Sequence, residues 1–119
     1  MNINLKADSA LPQFLPYPKF LLGSALSYAA REAYMLLLSR AQLSQKNGWV
    51  ESGRNVFVIY PVEELAKDMG KKNTRVYEAL NELEKADLIV RKKVIFNGAN
   101  RILVKIPLFG KANVQPTEN

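Results

Sequence analysis

The 119-residue sequence contains neither cysteine nor histidine. Without thiols there is no disulfide framework and no thiolate metal site. Without imidazoles there are no zinc fingers, His-ligated metals, Ser-His-Asp triads or histidine general bases. No apolar run approaches the roughly 20 residues that span a bilayer, so no membrane partner is expected. The opening Met-Asn-Ile-Asn-Leu-Lys lacks the charged-then-apolar layout of a secretory signal, and a reducing cytoplasm is the expected setting. Carboxylates are present but not grouped for acid–base work. Glu63, Glu64 and Asp68 follow the outer side of one predicted helix and Glu78, Glu82 and Glu84 the next, a pattern of solvated helix faces. The expectation is a protein that is not an enzyme and needs no metal or cofactor.

Apolar residues make up 48% of the chain and charged ones 24%, enough to bury a core in a single small domain. The net charge of +6 is unevenly spread. Residues 1–60 carry six basic and three acidic groups, and residues 61–70 one Lys against Glu63, Glu64 and Asp68. Residues 71–105 carry nine basic groups against four acidic, so most of the positive excess falls there. Such asymmetry favours a polyanionic partner.

Pro12, Pro16 and Pro18 break any helix near the start, and Phe14 to Phe20 reads as an extended arm whose aromatics dock on the domain. Ser27 is placed to cap a first helix. Ala30, Ala33, Tyr34, Leu37, Leu38 and Ala41 recur on one stripe of it, and its end is expected near Leu43. Asn47-Gly48 and Gly53 signal a loop, and Val56 to Tyr60 is β-branched and aromatic throughout, as a short strand requires. Pro61 suits the first position of a second helix that buries Val62, Leu65, Ala66 and Met69 and stops at Gly70. A third helix starts around Asn73-Thr74 and buries Val76, Ala79, Leu80 and Leu83. Leu88 to Ile95 and Arg101 to Ile106 read as strands joined by an Asn97-Gly98 turn.

Ala66, Gly70 and Val76 stand at relative positions 0, 4 and 10, the spacing of a helix-turn-helix. A small residue lies where the helices touch, a glycine turns the chain, and an apolar residue plugs the second helix into the core. With the hairpin behind it the expected fold class is α+β, a winged helix-turn-helix in the order helix, strand, helix, helix, two-stranded wing. In that geometry Lys72, Asn73, Thr74, Tyr77, Glu78 and Asn81 face DNA, with Lys71 and Arg75 alongside. Thr and the backbone N–H groups of a helix start bind phosphate; Asn reads adenine; Arg or Lys reads guanine or phosphate. Glu78 can accept from cytosine N4 or orient Arg75. A solvated face of a core helix, or a protein-docking module, fits the same residues.

Arg91, Lys92 and Lys93 run consecutively, so strand alternation sends Lys92 to one face and its neighbours to the other. Asn97, Asn100 and Arg101 lie near the wing tip. A basic wing grips the DNA backbone, while edge lysines that block sheet aggregation give the same pattern. Trp49, the only tryptophan, reads as a packed anchor under its loop.

Taken together, Phe14…Pro18-Lys19-Phe20-Leu21, Leu43-Ser44…Lys46-Asn47…Trp49-Val50, Val56 to Tyr60, Leu80…Glu82-Leu83-Glu84…Leu88-Ile89 and Asn100-Arg101-Ile102…Ile106-Pro107 resemble the RepA_N family. These are the N-terminal domains of plasmid replication initiators. The resemblance implies binding to double-stranded DNA at origin repeats (iterons), self-association as a dimer or higher, and a separate C-terminal domain that engages host replication proteins. The expected layout is an extended arm over 1–20, the winged-helix DNA-binding domain over 21–108, and over 109–119 the start of a linker to a C-terminal domain absent from this chain. A winged-helix transcriptional repressor shares the DNA site but recognises an operator. A docking winged helix of a replisome complex lacks the steep salt dependence of a DNA reader.

Overall fold

Ser27 caps a 20-residue helix, α1 (Tyr28–Asn47), in the computed structural model, which describes residues 2–51, 53–92 and 101–107. Its hydroxyl accepts from the Ala30 N–H at 3.2 Å. Its own N–H and hydroxyl donate to the Glu82 carboxylate at 2.7 and 2.8 Å. A residue 55 positions away thus supplies the reciprocal half of a capping box. The helix runs a turn beyond the expected end at Leu43, because Ser44 faces the core and Gly48, at φ 74°, terminates it. The Gly48 N–H reaches the Gln45 carbonyl at 3.2 Å and the Trp49 N–H the Ser44 carbonyl at 2.9 Å. The Asn47-Gly48 signal is therefore a helix stop, not the middle of a loop.

The chain continues through β1 (Phe57–Ile59), α2 (Val62–Met69), α3 (Asn73–Lys85), β2 (Ile89–Lys92) and β3 (Arg101–Val104). Val56, expected in the first strand, makes only an isolated bridge to Val50, and Pro61 sits at the cap of α2, one place before its first helical residue. The sheet is antiparallel in the order β1-β3-β2, so the last strand in sequence lies in the middle. Val58, Ile102 and Arg91 align across it, and pleating puts all three on the face toward the helices. Ile59, Arg101 and Lys92 align on the opposite face. Arg91 and Lys92 therefore diverge as the alternation requires.

The core lies between that inner sheet face and the three helices, with Leu21, Tyr34, Leu37, Val58, Leu65, Val76, Leu83 and Ile89 at 0–1% exposure. This is a winged helix. Within the N-terminal arm only the end docks: Lys19–Leu21 forms a 3-10 turn, Leu21 is buried, and the Phe20 ring meets Tyr34 edge-on at 5.6 Å. Phe14, at 77% exposed, does not dock as the sequence suggests. Among the described residues no helix is long and apolar enough to cross a membrane.

Two side chains tie distant segments together. The buried Tyr34 hydroxyl donates to the Lys105 carbonyl at 2.8 Å, holding the end of the sheet on α1. Arg40 stacks 3.6 Å over the Tyr60 ring, donates to the Ile59 carbonyl at 3.1 Å and pairs with Glu64 at 2.8 Å. The Tyr60 hydroxyl in turn donates to Asp68, so α1, β1 and α2 share one polar brace.

Replacing Ser27 by Ala removes a cap and strands Glu82, and is expected to lower stability by about 1–2 kcal/mol in urea unfolding, with Thr restoring most of it. Burial pushes the Tyr34 phenol up to about 12, against about 10 for an ordinary phenol. Burial and the bond to Asp68 also raise Tyr60. A raised folded-state value means that stability present below pH ~10 is lost as pH climbs toward about 12. Unfolding midpoints measured across that range should fall less steeply in Tyr34→Phe than in the wild type.

Candidate nucleic-acid interface

Gly70 makes the angle between α2 and α3. It adopts φ 68°, and the Lys71 N–H returns to the Ala66 carbonyl at 3.0 Å, which closes α2 in a left-handed turn. Ala66 is buried at the helix contact and Val76 is fully buried in the core, so the spacing read from the sequence is realised. Val76, Ala79, Leu80 and Leu83 together fix the rotation of α3 about its axis.

That rotation leaves Lys72, Asn73, Thr74, Arg75, Tyr77, Glu78 and Asn81 exposed and Lys71 half-buried. They form two sectors. Asn73 and Tyr77 line a groove of about 280 Å³ between α3 and the sheet, together with Ile59, Glu63, Arg91 and Ile102. Thr74, Glu78 and Asn81 occupy the side of α3 opposite its buried stripe. Lys72 stands at the N-cap and makes no side-chain capping bond. The first turn of α3 therefore presents N–H groups without intrahelical acceptors, beside Lys71, Lys72 and Arg75. Positive partial charge and three cations thus belong to the same end of α3.

The carboxylates around these cations are placed unevenly. Lys71 Nζ lies 3.6 Å from Glu32, and Arg75 lies 3.5 Å from Glu78. On the wing, Lys92 Nζ sits 3.1 and 3.5 Å from the two oxygens of Glu51. Arg101, its register partner, stacks 4.3 Å over the Phe57 ring. The sheet's outer face thus carries Lys92 and Arg101 side by side, next to the start of the wing. Lys93, Asn97 and Asn100 lie outside the described residues. Among the described residues no group of three or more His, Cys, Asp or Glu is placed to hold a metal.

Trp49 departs from its sequence reading: it is 54% exposed, and only its backbone is tied, by the Ser44 and Phe57 bonds. The sequence reading also missed Arg91 as a structural clamp. Its guanidinium donates to Glu84 at 2.6 and 3.0 Å and to Asn81 at 2.7 Å. A Glu seven residues upstream across a single turn was the available signal. Glu51, by contrast, meets Lys92 only through the fold.

Residues 13–114 match the family of the Replication initiator protein A (RepA) N-terminus. The chain belongs to that family. A 41 kDa protein of Lactobacillus helveticus is 33% identical over 82 residues, which span 66% of this chain and 23% of that protein. The chain therefore covers less than a quarter of that curated relative's length. Among solved structures, the N-terminal domain of a DNA binding protein is similar at TM-score 0.70 and 26% identity, over 85% of this chain and 80% of that one. An MDR initiator is similar at TM-score 0.68 and 30% identity, over 85% and 83%. A Rep-DNA complex shares the fold at TM-score 0.69 and 24% identity, over 88% and 92%. The RepA N-terminal family and the winged-helix geometry of α2, α3 and the sheet agree.

A Cβ at Gly70 would meet no neighbouring atom, so only the left-handed backbone opposes a side chain there. Gly70→Ala is expected to cost about 1–2 kcal/mol in denaturant unfolding, and Gly70→Asn less.

Proposed function

We propose that this domain binds double-stranded DNA at repeated sites in a plasmid replication origin and so begins replication, without catalysing a reaction itself. The observation that carries the reading is the start of α3. Its first-turn N–H groups stand beside exposed Lys72 and Arg75 and half-buried Lys71, an arrangement that suits a DNA phosphate. Membership of the initiator family supports the origin as target, and a Rep protein of the same fold is known in complex with DNA.

In this reading the N-terminal end of α3 enters the major groove, and Asn73, Thr74 and Tyr77 approach base edges. Lys71, Lys72 and Arg75 hold one stretch of backbone and Lys92 and Arg101 another, joined by Lys93, Asn97 and Asn100 from outside the described residues. Reading repeated sites favours self-association of the domain. Contacts with host replication proteins belong to a part of the initiator outside this domain, in the cytoplasm where the plasmid resides.

Lys72→Ala should weaken binding to origin-repeat and unrelated duplexes alike and reduce the slope of log K against log salt by about one unit. Asn73→Ala should leave the slope unchanged and relax discrimination between the two. Binding titrations over a range of salt check both, and binding that hardly falls with salt would point instead to a protein-docking role. Glu51→Gln frees Lys92 from its carboxylate partner. It should tighten binding in the wild-type background and lose that gain in a Lys92→Ala background, as measured in the same titrations.

A further inference from the structure

Asn81 is the exposed residue of α3 whose side-chain amide has its orientation decided by the protein itself. The Arg91 guanidinium lies 2.7 Å from Asn81 Oδ1 and is held there by Glu84, which accepts from Arg91 Nη2 at 2.6 Å and from Nε at 3.0 Å. Glu84 also accepts from the Arg91 backbone N–H at 3.2 Å. These hydrogen bonds to Arg91 hold Glu84 below the usual carboxylate range, so the clamp stays charged near neutral pH. Arginine has donors and no acceptor, so the atom facing it is the amide oxygen, and the amide nitrogen points away from the clamp. Register places Arg91 on the inner sheet face opposite Ile102, in the groove it shares with Asn73 and Tyr77, where Glu84 and Asn81 already engage its guanidinium.

We propose that Arg91 is a specificity-positioning residue: by holding Asn81 Oδ1 it presents Nδ2 to DNA as a donor, so that Asn81 reads an acceptor on a base edge. The inference rests on the DNA-binding reading above. A bidentate Asn–adenine contact uses the amide oxygen and nitrogen together. With the oxygen engaged, Asn81 favours bases that offer acceptors in the major groove, guanine through N7 and O6, thymine through O4 or adenine through N7, over cytosine, which offers only the N4 donor. Arg91 acts through Asn81 and touches neither base nor phosphate.

The test uses a duplex carrying one direct repeat from the plasmid origin, all single-base-pair variants of it, and an unrelated duplex of equal length. Asn81→Ala is expected to lose about ten-fold in discrimination at one base pair. Arg91→Ala should lose a similar factor at that same pair, the double variant little more, and the salt slope of Arg91→Ala should match the wild type. Asn81→Asp keeps an acceptor for Arg91 at an exposed position and removes the donor. It should shift the preference at that pair toward a base offering a donor, such as cytosine through N4. That variant carries the test if Arg91→Ala fails to fold, because its own clamp remains.

Three results, besides discrimination left untouched, would overturn the inference. One is an equal loss on every duplex in Arg91→Ala, and another is a slope lowered by a unit, which marks a phosphate contact. The third is an Asn81→Asp profile with no change of preferred base. A wild-type protein that does not distinguish origin repeat from unrelated duplex overturns the DNA reading itself. Discrimination that is intact in the wild type and untouched in these variants overturns this inference alone.

Discussion

The rotation of α3 about its own axis is the constraint on which the exposed surface depends. Four side chains set it, Val76, Ala79, Leu80 and Leu83, all at 2% exposure or less. Each residue advances the helix by about 100°, so a slip of one position would bury charged groups and expose apolar ones. Polar ties reinforce the rotation from two sides. Glu82 reaches the Ser27 cap of α1, and Glu84 reaches Arg91 of the sheet. Two acids two residues apart on α3 thus tether it to different neighbours. Both read from sequence as members of a solvated face, and both are engaged.

The electrostatics of the surface follow from where carboxylates are allowed to sit. The positive excess lies in the turn before α3, at Lys71 and Lys72, and in the strand segments after it, since α3 itself carries Arg75 and Lys85 against Glu78, Glu82 and Glu84. It is not a set of freely solvated cations. Lys71, Arg75 and Lys92 each have a carboxylate within 4 Å, and Arg101 has an aromatic ring. Exposed ion pairs contribute little to stability, at most about 1 kcal/mol each. Their larger effect is to hold long side chains in place and to set a competitor that any anionic ligand must displace. Arg40 belongs to a different category: its pair with Glu64 and its stacking on Tyr60 brace α1 against β1 and α2.

Local chemistry was legible in the sequence wherever one segment decided its own conformation. Ser27 as a cap, Gly70 as a stop, the Ala66–Gly70–Val76 spacing and the buried stripe of α3 all follow from residues within a few positions of one another. The end of α1 was misread because Ser44 is polar, although it stands three places after Ala41 on the same buried stripe. Trp49 was misread for the converse reason: size and apolarity suggest burial, but Gly48 turns the chain outward at that point. The Glu51–Lys92 pair joins residues 41 apart, and the Glu82–Ser27 tie residues 55 apart. Such contacts exist only once the tertiary fold brings them together, so no local pattern announces them. The part of the candidate surface on α3 was legible for the same reason as its core stripe, since the two are opposite faces of one helix.

Strand order gives the domain a direction in time. Of the three described strands β3 is the last to leave the ribosome, yet it is the central one, and β1 pairs with no other strand of this sheet. Until Ile102 emerges, Val58 faces a missing partner, and the three helices must wait above an incomplete floor. The helices can form early because their contacts are local, whereas closing β1 on β3 joins residues more than 40 apart and belongs to the slower class of steps. A chain halted before Arg101 would hold the complete helix-turn-helix sequence without the sheet that seats it. Synthesis of the final strand is thus the event that converts a set of helices into a domain able to present α3 at a fixed angle.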